Sequence, residues 1–147
     1  MTRPFAPPKR LPPDLLRVQA YWEGLLRGSA KVPFWDDLDL TALPDLAGRL
    51  FLVGVFSKPE RFRLDLVGED LITAFGQEAA GLFTDEIAHV PPFALLGSQC
   101  SATIEAAAPT WFEDNATVAT GYRRLLLPLW GDGRISMLLG AVDQGPA

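Results

Sequence analysis

Residues 122–142 read Tyr-Arg-Arg-Leu-Leu-Leu-Pro-Leu-Trp-Gly-Asp-Gly-Arg-Ile-Ser-Met-Leu-Leu-Gly-Ala-Val. Two apolar runs flank Gly131-Asp132-Gly133, and Asp-Gly between such runs is among the strongest short-range hairpin signals. The pattern predicts strands over Tyr122–Trp130 and Arg134–Val142. Pro128 lies inside the first strand. Proline cannot donate to a ladder, so it favours an edge position or a bulge. Ile135, Met137 and Leu139 are spaced by two and are expected on one sheet face.

A second hairpin is expected upstream. Leu50–Phe56 is a nearly continuous apolar run, too short for a confident helix and rich in β-formers. Ser57-Lys58-Pro59-Glu60 is a turn, and Arg61 to Leu66 then alternates. That alternation places Phe62, Leu64 and Leu66 inward, with Arg61, Arg63 and Asp65 outward. Between the hairpins lie helical signals. Glu69–Phe75 fits a short helix carrying Leu71, Ile72 and Phe75, closed by Gly76. Thr84–Ile87 fits one helical turn. Pro91-Pro92 opens a longer helix, expected from Phe93 to Ala107, because proline is tolerated in a first turn. A further strand, or two pieces of one, is expected over Thr110–Phe112 and Thr117–Ala119.

The N-terminal third is mostly helix and loop. Pro4, Pro7, Pro8, Pro12 and Pro13 make residues 1–13 an extended lead-in. A helix is expected over 14–27, with Asp14 as its N-cap and Gly28 at its C-terminal end. Leu15, Val18, Trp22 and Leu25 recur at three- and four-residue spacing, forming one apolar stripe. Ser29–Asp39 reads as loop, and Asp39 as the cap of a short helix. Residues 143–147 form a loose tail. The whole is a single α+β domain over 14–142: a five-stranded antiparallel sheet, a helical cluster on one face and an N-terminal flanking helix.

Composition limits the function. The chain has 147 residues, one domain's worth. Its net charge of −5 and scattered basic residues oppose binding to a phosphate backbone. One cysteine and one histidine exclude an intramolecular disulfide and an ordinary zinc site. No apolar run reaches the roughly 20 residues that span a bilayer. The first residues carry no apolar signal core, and a cytoplasmic protein is the simplest expectation.

Two strands, a short helical cluster, a longer helix and three strands is the element order of a PAS domain. The run Phe62-Arg-Leu-Asp-Leu-Val-Gly-Glu-Asp-Leu71, followed by Phe75-Gly76 and Gly81, resembles the second PAS strand entering the helical cluster. Tyr122 to Gly133 resembles the last PAS hairpin. Tyr21-Trp22, the acidic segment Pro33–Asp39 and Leu43-Pro44 are similar to features of the small single-domain PAS proteins of alphaproteobacteria. The resemblance covers about Val18 to Val142. It implies a sensory or signalling module with a pocket between sheet and helices.

The pocket candidates are Phe62, Leu64, Leu66, Ile72, Phe75, Phe83, Met137 and Leu139. Dense packing makes a filled core or a small cavity the preferred reading over an open ligand site. Neither haem nor flavin is expected, and no cofactor is. His89 could ligate haem, but no matched motif surrounds it, and a surface or capping role is the simpler one. Cys100 is followed by Ser101-Ala102-Thr103 rather than the Arg-Phe-Leu of light-sensing flavin PAS domains, and reads as a small buried hydrophobe. Asp36, Asp37 and Asp39 lack the glycine and terminal glutamate of a calcium loop. Asp85 and Glu86 are adjacent on a helical turn and so face apart, a poor acid/base pair.

The expected function is therefore a non-catalytic PAS-like sensor that binds a small apolar ligand, a partner protein, or both. The alternative is a small enzyme or carrier that uses the same cavity for a hydrophobic metabolite. A homodimer is also expected, with Leu15, Val18, Trp22 and Leu25 at its interface and Trp22 as anchor. Packing of the same stripe within one chain is the competing arrangement.

Overall fold

The computed structural model describes residues 5–114 and 121–144. Three α-helices and five strands follow in the order α1 (Pro13–Gly24), β1 (Leu50–Phe56), β2 (Arg61–Val67), α2 (Glu69–Phe75), α3 (Leu96–Ala106), β3 (Thr110–Asp114), β4 (Tyr122–Gly131) and β5 (Arg134–Gln144). The strands make one antiparallel sheet in the order β2-β1-β5-β4-β3. The expected piece at Thr117–Ala119, the start of the lead-in (1–4) and the end of the tail (145–147) lie outside the described residues.

The β4–β5 hairpin turns at Asp132-Gly133. Both have positive φ, 54° and 77°, as a two-residue turn matched to strand twist requires. Pro128 sits well inside β4, yet its environment is that of an edge. β3 pairs with β4 only as far as Leu126. Beyond it, Trp130, with the same strand parity as Pro128, sends its N–H to the carbonyl of Pro33 at 2.8 Å. The missing donor of Pro128 therefore faces a side that no strand occupies.

Two register shifts decide which face each side chain reaches. In β2, Leu52 pairs with Leu66 and Val53 with Leu64, so Asp65 is an extra residue. In β5, Leu129 pairs with Met137 and Trp130 with Ile135, so Ser136 is extra. A bulge reverses the alternation beyond it. The expectation that Phe62, Leu64 and Leu66 share a face is thus corrected: Leu66 lies on the face opposite to Leu64. Ile135 is separated from Met137 and Leu139 in the same way.

The sheet is covered on both faces. On one face Phe51, Val53, Phe62, Leu64, Leu126, Leu138 and Val142 meet Leu71 of α2, Phe93, and Leu96 and Cys100 of α3. Gly140 leaves room for the Phe51 ring, which a Cβ there would strike. On the other face α1 lays Leu15, Val18 and Trp22 on Leu125, Leu127, Leu129, Leu139 and Ala141. The stripe on α1 thus packs within its own chain. Trp22 is 4% exposed, and its Nε1 donates to the Pro128 carbonyl at 2.8 Å.

The bounds of α1 differ from expectation. The helix opens on Pro13, with Pro12 in the capping position and no side-chain cap. Asp14 instead binds Arg49 at 2.6 Å, and Arg49 also reaches Asp143 at 3.2 Å, tying the start of α1 to the sheet. The helix ends at Gly24, three residues short of 27, and Leu25 is only half-buried outside the packed stripe. Asp39 caps as expected: its carboxylate accepts from Thr41 N at 3.0 Å. α3 starts at Leu96 rather than Phe93, because Phe93 is inserted into the core and Leu95 takes positive φ ahead of the helix.

Candidate functional site

The pocket expected between helices and sheet is filled. Phe93 is fully buried, with its ring centroid 5.7 Å from Phe51 and 5.4 Å from Phe75. Phe62, Leu64 and Phe75 belong to this cluster. Ile72 and Phe83 are half-buried at its margin, outside the main cluster. Phe83 carries the Arg61 guanidinium 3.8 Å above its ring. Leu66, Met137 and Leu139 are on the other face, and Leu66 is 41% exposed. The structure therefore does not gather the eight candidates at one site.

The single-residue candidates also separate. His89 is exposed. Asp85 pairs with Arg61 at 2.9 Å, and Glu86 accepts the N–H of Phe83 at 2.9 Å, so each carboxylate has its own partner. Asp37 pairs with Arg27, and Asp39 holds Thr41. Among the described residues no group of three or more histidine, cysteine or acidic side chains is placed to hold a metal ion. Cys100 is fully buried, and burial pushes its thiol well above the usual range.

What the helical side of the core holds instead is a polar network. Strand alternation places Thr110, Phe112, Tyr122, Arg124 and Leu126 on the face that α3 covers. Helical spacing puts Leu96, Gln99, Cys100 and Thr103 on the buried side of α3. Gln99, Thr103 and Arg124 are fully buried, and Thr110 is nearly so. Gln99 Nε2 donates to Thr110 Oγ1 at 3.1 Å and to the Arg124 carbonyl at 3.2 Å. Thr103 Oγ1 lies 2.6 Å from Thr110 Oγ1 and donates to the Gln99 carbonyl at 2.8 Å.

Arg124 is the centre of this network. Its Nε donates to Gln99 Oε1 at 2.7 Å and its Nη1 to the Pro92 carbonyl at 2.9 Å. The guanidinium lies 4.5 Å over the Phe112 ring. Its Nη2 and the buried hydroxyl of Tyr122 lack a partner of good geometry, although the two interact with each other and the Ala94 backbone also bears on the hydroxyl. Buried polar atoms so placed are uncommon in native cores and call for an explanation. Burial pulls the guanidinium down to about 10, still charged at neutral pH. Tyr122, Cys100 and Asp114 oppose that shift, and the Asp114 carboxylate acts least among them. Burial likewise raises the Tyr122 phenol, against the pull of the nearby cation.

The sequence pattern held a signal for this site. Tyr122, Arg124 and Leu126 share a period of two, and an arginine on the inward side of a strand otherwise made of leucine is out of place. Reading 122–130 as an apolar run hides it. Arg123, one residue earlier, faces the other way and binds Asp143 at 2.5 Å.

Comparison of the chain with models of known protein families, with curated proteins and with solved structures finds no match.

Proposed function

We propose that this chain is a PAS-like sensory module without catalytic activity, which acts by binding a small molecule and by passing its state to a partner protein. The element order, the helical layer on one face of an antiparallel sheet and the flanking helix on the other agree with the PAS resemblance. The observation that carries the reading is the buried Gln99–Thr110–Arg124 network at the seam between α3 and β3–β4. A buried cation costs stability that an apolar side chain in its place would not. Such a cost is expected where a group has a task besides packing.

The site also lies where a signal can leave it. The network joins α3 to two strands and, through the Pro92 carbonyl, to the segment before α3. A ligand that favours one packing of α3 over another shifts the population between the two. Output then passes to a partner, a second copy of this chain included.

Amide hydrogen exchange tests the reading. The protein as purified is compared with the same protein unfolded, freed of small molecules and refolded. Faster exchange in Phe93–Ala106 after this treatment, restored by the removed fraction, is the expected result. Identical exchange throughout the chain would contradict it.

A further inference from the structure

The core is filled, but a cavity of about 500 Å³ lies outside it, between the lead-in and the outer side of α3. That volume is within the range of small-molecule sites. The lead-in is held over α3 at its start. The Phe5 carbonyl accepts the N–H of Trp111 at 2.7 Å, and the Phe5 ring lies 6.4 Å from Phe112. Phe5 and Pro7 line one wall. Small side chains of α3, Ala102 and Ala106, line the other and leave the space open.

The polar lining is made of acceptors. Glu105 is the one charged side chain among the described lining residues, and no described cation pairs with it. It stands in the last turn of α3, where the helix end already carries partial negative charge and no basic side chain of that turn offsets it. Ser101 precedes Glu105 by one helical turn and so shares its face. Its hydroxyl donates to Glu60 Oε1 at 3.0 Å, which leaves its lone pairs for a donor.

We propose that this cavity binds a small primary ammonium ion with an apolar tail, whose N–H groups are accepted by Glu105 and Ser101 and whose tail lies against Phe5 and Ala102. This rests on the sensory reading above and names the site and the class of ligand. An anion would face Glu105 and the negative end of α3 with no cation in the described lining. A neutral apolar ligand would take water from the carboxylate and give nothing in return. The cavity also touches the buried network: Thr110 lines it and accepts from Gln99 Nε2 at 3.1 Å. An occupant therefore bears on the packing of α3 against β3.

The test is an amide NMR titration of the full chain with n-butylammonium chloride, methylammonium chloride, sodium butyrate and sodium chloride at matched ionic strength. The expected result is a set of saturable shifts with n-butylammonium, clustered on Phe5–Ala6 and Ser98–Ala106, and none with butyrate or sodium chloride. Glu105 is exposed, so Glu105→Gln should keep the fold. In that variant the half-saturating concentration should rise roughly fivefold, the worth of a good ion pair near a surface. Phe5→Ala should weaken n-butylammonium more than methylammonium, which has no tail to lay on the ring. Scattered or unsaturable shifts, an equal response to butyrate, or unchanged binding in Glu105→Gln would each overturn the assignment. If the ammonium ions fail while the exchange experiment above still shows a removable ligand, the assignment falls and the sensory reading stands. If both fail, both fall.

Discussion

The indole nitrogen of Trp22 donates to the carbonyl of Pro128 across 106 positions of sequence, at 2.8 Å in a buried setting. This contact anchors α1 to the middle of β4, at the place where β3 has ended. It also fixes what the apolar stripe of α1 does: it closes one face of its own sheet. Trp22→Phe keeps most of the apolar area and orphans the carbonyl, at an expected cost of about 1–3 kcal/mol. Trp22→Ala should cost about 3–5 kcal/mol. Urea denaturation measures both, and a cost below about 1 kcal/mol for the alanine variant would show that α1 does not pack on the sheet.

The bulge at Asp65 makes Leu64 and Leu66 unequal. Leu64 is fully buried and Leu66 is 41% exposed on the opposite face. Leu64→Ala should destabilise by about 2–5 kcal/mol. Leu66→Ala should change stability by only about 0.5 kcal/mol. Equal losses at the two positions would mean that β2 runs without the bulge.

Cys100 offers a direct probe of the helical side of the core. It has no exposed surface, and burial disfavours its thiolate. A thiol reagent such as DTNB should therefore leave the folded protein unmodified at neutral pH and react fully in denaturant. In native buffer, modification should proceed only as fast as the core opens. Immediate stoichiometric reaction with the folded chain would contradict the placing of α3.

The pH dependence of stability in acid should include the Arg61–Asp85 pair. Hydrogen bonding to Arg61 holds the Asp85 carboxylate below its ordinary value of 3.8. The folded state thus binds this proton less readily than the unfolded chain. The contribution is complete above the unfolded value and disappears as pH falls through the lowered folded one. Wild type should lose part of its stability over that interval, and Asp85→Asn should lose less. Because the pair is exposed, added salt should shrink the difference. An unchanged acid profile in Asp85→Asn would show that the pair contributes nothing.

Much of this architecture was legible in the residues, and the places where it was not have physical causes. The Asp132-Gly133 turn specifies its hairpin locally, and Glu69–Phe75 carries both its periodicity and its closing Gly76, so these elements match expectation. Bulges at Asp65 and Ser136 leave no mark in an alternating pattern, because the extra residue shows only in the pairing with the neighbouring strand. That is why Leu66, Met137 and Leu139 fall on the unexpected face. The residue pattern places Phe93 in a helix, yet its ring packs in the core between Phe51 and Phe75. The polar network escaped for a different reason. Gln99, Thr103 and Thr110 look like ordinary surface types until the strand and helix that bear them are brought together.

The most direct test of the central claim, that this domain holds a small molecule, is native mass spectrometry of the purified protein beside the same sample denatured. The account predicts a reproducible extra mass on the folded chain that is lost on denaturation. The bare chain mass in both spectra, across several expression conditions, would contradict it.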